Sequence, residues 1–217
     1  MLLRFIVLMT CLAIVQDVLA QTEGLSFVIL NKKQDAAQLP KEETDKLMEG
    51  HMANINRLAQ EKKLVAAGPF DGGGGIFILN TASVEVSTEW LSTDPAVKAK
   101  RWDVEVYPYS PRVGGACLVQ EPYEMVTYYF VRYKVDITKS TVNSASIFFS
   151  HDEHLKTLKS KLPVVAEGTF GDRDGGVLIL KDDPPLQWLE SDPAVQQGML
   201  VLDLRKLWIA KGAFCEQ

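Results

Sequence analysis

Cysteine and histidine are scarce in this 217-residue sequence, with three of each. So few thiols exclude a disulfide-dense miniprotein, and no His or Cys pair has the close spacing of a zinc site. An excess of basic residues is missing as well. The 23 Lys and Arg stand against 28 Asp and Glu, and the net charge of −5 leaves no electrostatic footprint for nucleic acid. After the first 20 residues no apolar run approaches the roughly 20 residues needed to cross a bilayer. The Gly72-Gly73-Gly74-Gly75 run lacks the Lys-Ser/Thr of a phosphate-binding loop. Neither a metal nor a cofactor is expected. What remains is an ordinary globular composition, 47% hydrophobic and 24% charged, which excludes disorder and collagen.

The first 20 residues read as a signal peptide rather than as part of a fold. Arg4 is a short positive region, Phe5 to Val15 an apolar core, and Val18-Leu19-Ala20 is similar to a small-residue cleavage site. The expectation is a secreted or periplasmic protein with no membrane association after cleavage. A lipid on Cys11 is the alternative, though Thr10 before it fits that signal poorly. The mature chain keeps only Cys117 and Cys215.

The decisive feature is an internal repeat. At an offset of 100 residues His51 meets His151, and Leu58, Val65, Ala66, Gly68 and Phe70 meet Leu158, Val165, Ala166, Gly168 and Phe170. At 101, Gly74, Gly75, Ile78 and Leu79 meet Gly175, Gly176, Ile179 and Leu180. At 98, Trp90-Leu91 meets Trp188-Leu189, Asp94-Pro95-Ala96-Val97 meets Asp192-Pro193-Ala194-Val195, and Cys117 meets Cys215. Ordered identities with two small gaps indicate a tandem duplication, with units at 25–112 and 123–210.

Each unit reads as βαββαβ. In the first, Leu25 to Leu30 is a strand. Pro40 with Glu42 and Glu43 opens a helix whose apolar stripe is Leu47, Met48, Met52, Ile55 and Leu58. Leu64 to Ala67 and Ile76 to Leu79 are strands around a glycine-rich loop. A short helix then carries Trp90, and a strand from Trp102 to Tyr107 stops at Pro108. The second unit repeats this from Val126 to Ile209. A sheet with helices on one face leaves the other face uncovered, so Val28, Leu64, Ile76 and Val104, or their neighbours of opposite parity, must bury against something. The fold class is therefore α+β: tandem ferredoxin-like units packed sheet to sheet, joined by a short polar linker over Val113 to Glu121.

The run from His51 through Leu64-Val65-Ala66-Ala67-Gly68-Pro69, then Phe70-Asp71-Gly72-Gly73 and Asp94-Pro95-Ala96-Val97, resembles the YCII-related domain, once per repeat. The resemblance implies ferredoxin-like units paired as a dimeric α+β barrel, here an intrachain pseudo-dimer. It also implies small-molecule enzymes similar to the muconolactone-isomerase type, one class resembling a dehydrochlorinase of hydroxylated aromatics. Other barrels of this shape bind haem, but no axial ligand is identifiable here. In the family the histidine matching His51 is the proposed active-site residue, paired with an aspartate near the Gly-Pro loop.

By helical spacing His51 lies in the sheet-facing stripe, four residues from Leu47 and from Ile55, and His151 stands likewise between Ile147 and Leu155. Asp71 follows Gly68-Pro69-Phe70, the expected ligand-binding stretch, and would orient His51 as a general acid or base. The plainer reading of Asp71-Gly72 is a hairpin turn. In the second unit Asp172 and Asp174 are shifted and Thr169 replaces Pro69, so that site is expected to be weaker than His51 with Asp71. Asp94 and Asp192 either serve a ligand or end a helix before proline. Trp90 and Trp188 read as packing. Cys117 and Cys215, just past the last strand of each unit, are either bridged, which demands Cα atoms within roughly 7 Å, or two free thiols. Two functions follow. The first is a metal-free isomerase- or lyase-type enzyme using His51 and Asp71 on a small organic substrate. The second is a non-catalytic small-molecule-binding or structural module of the same fold. Self-association is compatible with both.

Overall fold

Alternate residues of the first strand, β1 (Leu25–Lys32), are buried on both of its faces: Phe27 and Ile29 on one, Val28 and Leu30 on the other. Such a strand must lie between two apolar layers, and the rest of the chain supplies them. The computed structural model describes residues 24–139, 144–171 and 175–215. The expected signal peptide, Asp172 and Asp174 lie outside the described residues.

After β1 come α1 (Lys41–Gln60), β2 (Leu64–Pro69), β3 (Gly75–Leu79), α2 (Val84–Leu91), α3 (Pro95–Lys98), β4 (Trp102–Val113) and β5 (Gly115–Ala116). The order then recurs as β6 (Met125–Val135), α4 (Ser144–Lys161), β7 (Val164–Phe170), β8 (Val177–Leu180), α5 (Leu186–Glu190), α6 (Pro193–Gln196), β9 (Leu200–Ala210) and β10 (Phe214–Cys215). Glu42 and Glu43 in the first turn of α1 and Arg57 in its last complement the helix dipole. Ser83 caps α2 by accepting from the Val86 N–H.

The result is a mixed α/β fold with a large antiparallel sheet, in the order β2-β3-β1-β4-β7-β8-β6-β9. The first-half strands meet the second-half strands where β4 pairs with β7, Tyr109 opposite Phe170 and Ser110 opposite Thr169. At the two ends of that order β2 and β9 meet through a single bridge, Phe70 opposite Leu207. The two seams correspond residue for residue: the Asp71 N–H donates to the Lys206 carbonyl (3.0 Å), and the Gly171 N–H to the Pro108 carbonyl (3.2 Å). They differ because Pro69, which has no N–H, stands where the other seam has Thr169. One apolar cluster draws on both halves, with Phe27, Ile29, Phe70, Tyr109, Phe130 and Phe170 among its members. Val28 and Leu64 lie instead in the cluster beneath the first-half helices.

Three expectations are corrected. The last strand of the first half does not stop at Pro108 but runs to Val113. Pro108 turns its nitrogen toward β7 beyond the last paired residue, Phe170, and Pro111 faces the side on which β1 has ended at Leu25, so neither deprives a neighbour of a donor. The linker is not a plain connection, because β5 pairs with β10 and holds Cys117 and Cys215 in a disulfide with Cα atoms 5.6 Å apart. In α1 the buried positions are His51, Asn54 and Leu58, whereas Met48 and Met52 are exposed. The stripe is rotated toward two polar residues, and that rotation creates the site.

Candidate functional site

Asp94 ends the α2 region and caps α3. With Pro95 at the first helical position, its Oδ1 accepts the N–H groups of Ala96 (2.9 Å) and Val97 (3.2 Å). Oδ2 is left facing α1. There His51 Nδ1 lies at 2.6 Å and Asn54 Nδ2 donates at 3.2 Å. The helix can come this close because residue 50 is glycine: a Cβ there would stand 2.9 Å from Pro95 Cγ. Asn54 is oriented in turn by Arg57 and Thr93, which both donate to its Oδ1. His51 stacks on Phe77 and touches Trp102, with ring centroids 5.8 and 4.7 Å away.

Burial of Asp94 pushes its carboxyl toward the neutral form, but His51 and the two capping N–H groups more than offset this and hold it below the ordinary value. The carboxylate stays charged and accepts a hydrogen bond from the Nδ1–H of the imidazole. The Nε2 lone pair of His51 is thereby the basic one.

A second dyad occupies the corresponding place. His151 Nδ1 lies 2.5 Å from Asp192 Oδ2, and Asp192 Oδ1 accepts the Ala194 N–H at 2.8 Å. Tyr133 meets His151 edge to face, with centroids 4.9 Å apart. His154 takes the helical position of Asn54, and its Nε2 is bonded to the Trp188 carbonyl at 2.9 Å.

Asp71 is not the partner of His51. Its backbone lies in the β2–β3 turn, closed by the Phe70 N–H on the Gly74 carbonyl. His51 sits over Phe77, which pairs with Ala67, four residues before Asp71 and roughly 13 Å back along an extended chain. Asp71 instead lines a cleft of about 240 Å³ at the β2–β9 seam with Pro69, Phe70, Thr127, Lys206 and Trp208. Gly68 lies within that seam, where a Cβ would stand 2.6 Å from the Trp208 carbonyl oxygen. Phe70 is a core residue, 4% exposed, with Arg205 over its ring at 4.6 Å. The residues read from sequence as one site thus divide between the dyad and the seam. Asp94, first met as a turn before proline, is both cap and dyad member, and its repetition as Asp192 was the sequence signal for it. Nothing in the helical pattern singled out Asn54, nor Tyr133 in its strand.

With this geometry the chain can be placed among known proteins. Residues 25–111 match the YCII-related domain. The domain holds the whole of the first dyad, and its match ends before the disulfide. No curated protein matches the chain at a significant level. Among solved structures, it is similar to a candidate monooxygenase from Lactobacillus acidophilus, at 12% identity over 87% of this chain and 94% of that one, with a TM-score of 0.41. A candidate monooxygenase from Fusobacterium nucleatum matches at 12% identity over 86% and 92%, with a TM-score of 0.42. A heme-binding protein from Thermus thermophilus matches at 12% over 88% and 91%, with a TM-score of 0.41.

Proposed function

We propose that the chain is an exported protein of two tandem YCII-like units, 25–112 and 123–210, closed on each other as an intrachain α+β barrel. Its chemistry is acid–base catalysis of isomerase or lyase type on a small organic molecule. The matching seams and the recurrence of the dyad at the offsets of the repeat support the duplication. The apolar stretch at 5–15 and a disulfide, a bond that persists in oxidising compartments, support export.

One observation carries the catalytic reading: an imidazole whose Nδ1 is tied at 2.6 Å to a carboxylate kept ionised. Nε2 of His51 then removes a proton from the substrate and returns it to another atom or to the leaving group. Asp94 replaces Asp71 as the orienting partner. His51 rather than His151 has the reacting role, because its side chain is 8% exposed whereas Nε2 of His151 is fully buried. That burial favours a second reading, in which the dyads are struts of a non-catalytic binding module.

Haem, named for the Thermus thermophilus neighbour, does not fit these residues. The interior shared by the two halves, where a macrocycle would have to sit, is filled by Phe27, Phe70, Tyr109, Phe130 and Phe170.

A panel of small hydroxylated organic compounds, screened by thermal shift and by solvent hydrogen exchange at carbon, tests the proposal. The expected result is a compound that stabilises the wild type, exchanges a C–H proton in its presence, and loses both effects with His51→Ala but not with His151→Ala. A compound that binds the wild type and both variants alike, without exchange, overturns the catalytic reading.

A further inference from the structure

Two polar atoms beside the second dyad are buried without a hydrogen-bond partner: the Tyr133 hydroxyl and Nε2 of His151. They belong to touching rings, and Tyr133 and His151 are 0% and 2% exposed. An unsatisfied buried polar group is costly, so two such groups on touching rings are an expensive defect unless something satisfies them.

Their hydrogen-bonding characters are complementary. Burial first, and then the negative charges of Asp192 and Glu167, push the Tyr133 hydroxyl well above its ordinary range, so it remains a donor. His151 donates its Nδ1–H to the Asp192 carboxylate and presents Nε2 as an acceptor. A guest that satisfies both must accept from one and donate to the other through neighbouring atoms. A hydroxyl does this with a single oxygen.

The first half does not offer this arrangement. Tyr133 stands opposite Leu202 in the register position that Leu30 holds opposite Val104. The rings around His51 are Phe77 and Trp102, where the second half has Leu178 and Leu200.

We infer that Tyr133 and His151 form a binding site for one hydroxyl oxygen, belonging to water or to a small alcohol or phenol, a pairing the first half lacks because the rings beside His51, Phe77 and Trp102, carry no hydroxyl. The site rests on the same tautomer as the proposed chemistry but does not require His51 to react.

Nitrogen-15 NMR of the histidine side chains, on the whole protein with and without phenol, tests it. If water is the guest, the His151 Nε2 resonance in buffer lies upfield of a free acceptor, and Tyr133→Phe returns it toward the free position. If a ligand hydroxyl is the guest, that upfield shift appears on titration with phenol, saturates, and is lost in Tyr133→Phe. A His151 Nε2 at the free position with and without phenol overturns the site, as does a proton on Nε2 in place of Nδ1. Should Tyr133→Phe fail to fold, a crystal structure of the wild type decides: density within hydrogen-bonding distance of both atoms supports the site, and its absence refutes it. All these readouts concern His151, so a failure of catalysis at His51 leaves them unchanged.

Discussion

Nδ1 of His51 lies 2.6 Å from Oδ2 of Asp94, and this contact fastens the long first helix to the four-residue helix that Asp94 caps. One carboxylate therefore receives four donors: two backbone N–H groups, the Asn54 amide and the imidazole. Stability and chemistry depend on the same group.

Replacing Asp94 by Ala should cost about 3–5 kcal/mol, because it strands buried donors rather than merely removing a contact. Asp71→Ala, at an exposed turn, should stay within about 0.5 kcal/mol of the wild type. Urea denaturation of the two variants measures the difference. Equal losses would mean that the dyad contributes no more than a surface turn.

Acid should destabilise the fold through the same group. The Asp94 carboxyl is held below its ordinary value of 3.8, as burial is outweighed by His51 and the capping N–H groups. Glu105 is held below 4.5, where burial is outweighed by Tyr107 and Arg132. For a depressed carboxylate the unfolded chain binds more protons, so its contribution is complete above the unfolded value and is lost as pH falls through the folded one. The contribution of these two carboxylates should be constant down to about pH 5 and should fall away below about pH 4. Asp94→Asn should reduce that slope, which denaturation midpoints against pH will show.

The Cys117–Cys215 disulfide closes a loop with a sequence separation of 98. In the chain-entropy model this is worth about 4–5 kcal/mol, less any offsetting structure in the unfolded chain. Denaturation with and without reductant should show a loss of that order, and neither cysteine should alkylate in the native, unreduced protein. Ready alkylation of both would contradict the bridge.

The two seams should open at different rates. Four residue pairs join β4 to β7, whereas one bridge joins β2 to β9, where Pro69 withholds a donor. In native-state hydrogen exchange the amides of Lys206 and Trp208 should exchange faster than those of Ser110 and Thr169. Equal protection would mean that the missing donor has been compensated.

The order of the main elements was legible from residue types alone, whereas the buried face of the first helix was not. β-Branched and aromatic content marked the strands, Pro40 with Glu42 and Glu43 the start of the first helix, and the ordered identities the likeness between the two halves. Side-chain partnership across the fold was not. Asp71 is closer to His51 in sequence than Asp94 is, it opens the glycine run 72–75, and the family resemblance implies an aspartate near the Gly-Pro loop, so it reads as the partner. In the structure the strand carries Asp71 past the helix, while the chain returns after the second helix to set Asp94 beneath His51. The strand through Pro108 and Pro111 was hidden for a related reason. A proline's cost in a sheet depends on whether a neighbour needs its N–H, and only the register of β1 and β7 settles that.

Residue types in short stretches of chain were enough for the α+β class, for the ordered identities between residues 51–117 and 151–215 and for the groups available for chemistry, because composition, turn residues and internal identity are local properties. The tertiary structure alone decided that each histidine meets the aspartate before Pro-Ala-Val, that Tyr133 stands beside only one of them, and that one seam is zipped and the other bridged once. Those are contacts between residues tens of positions apart, and their distances follow from the packing of helices on a sheet, which no local pattern encodes.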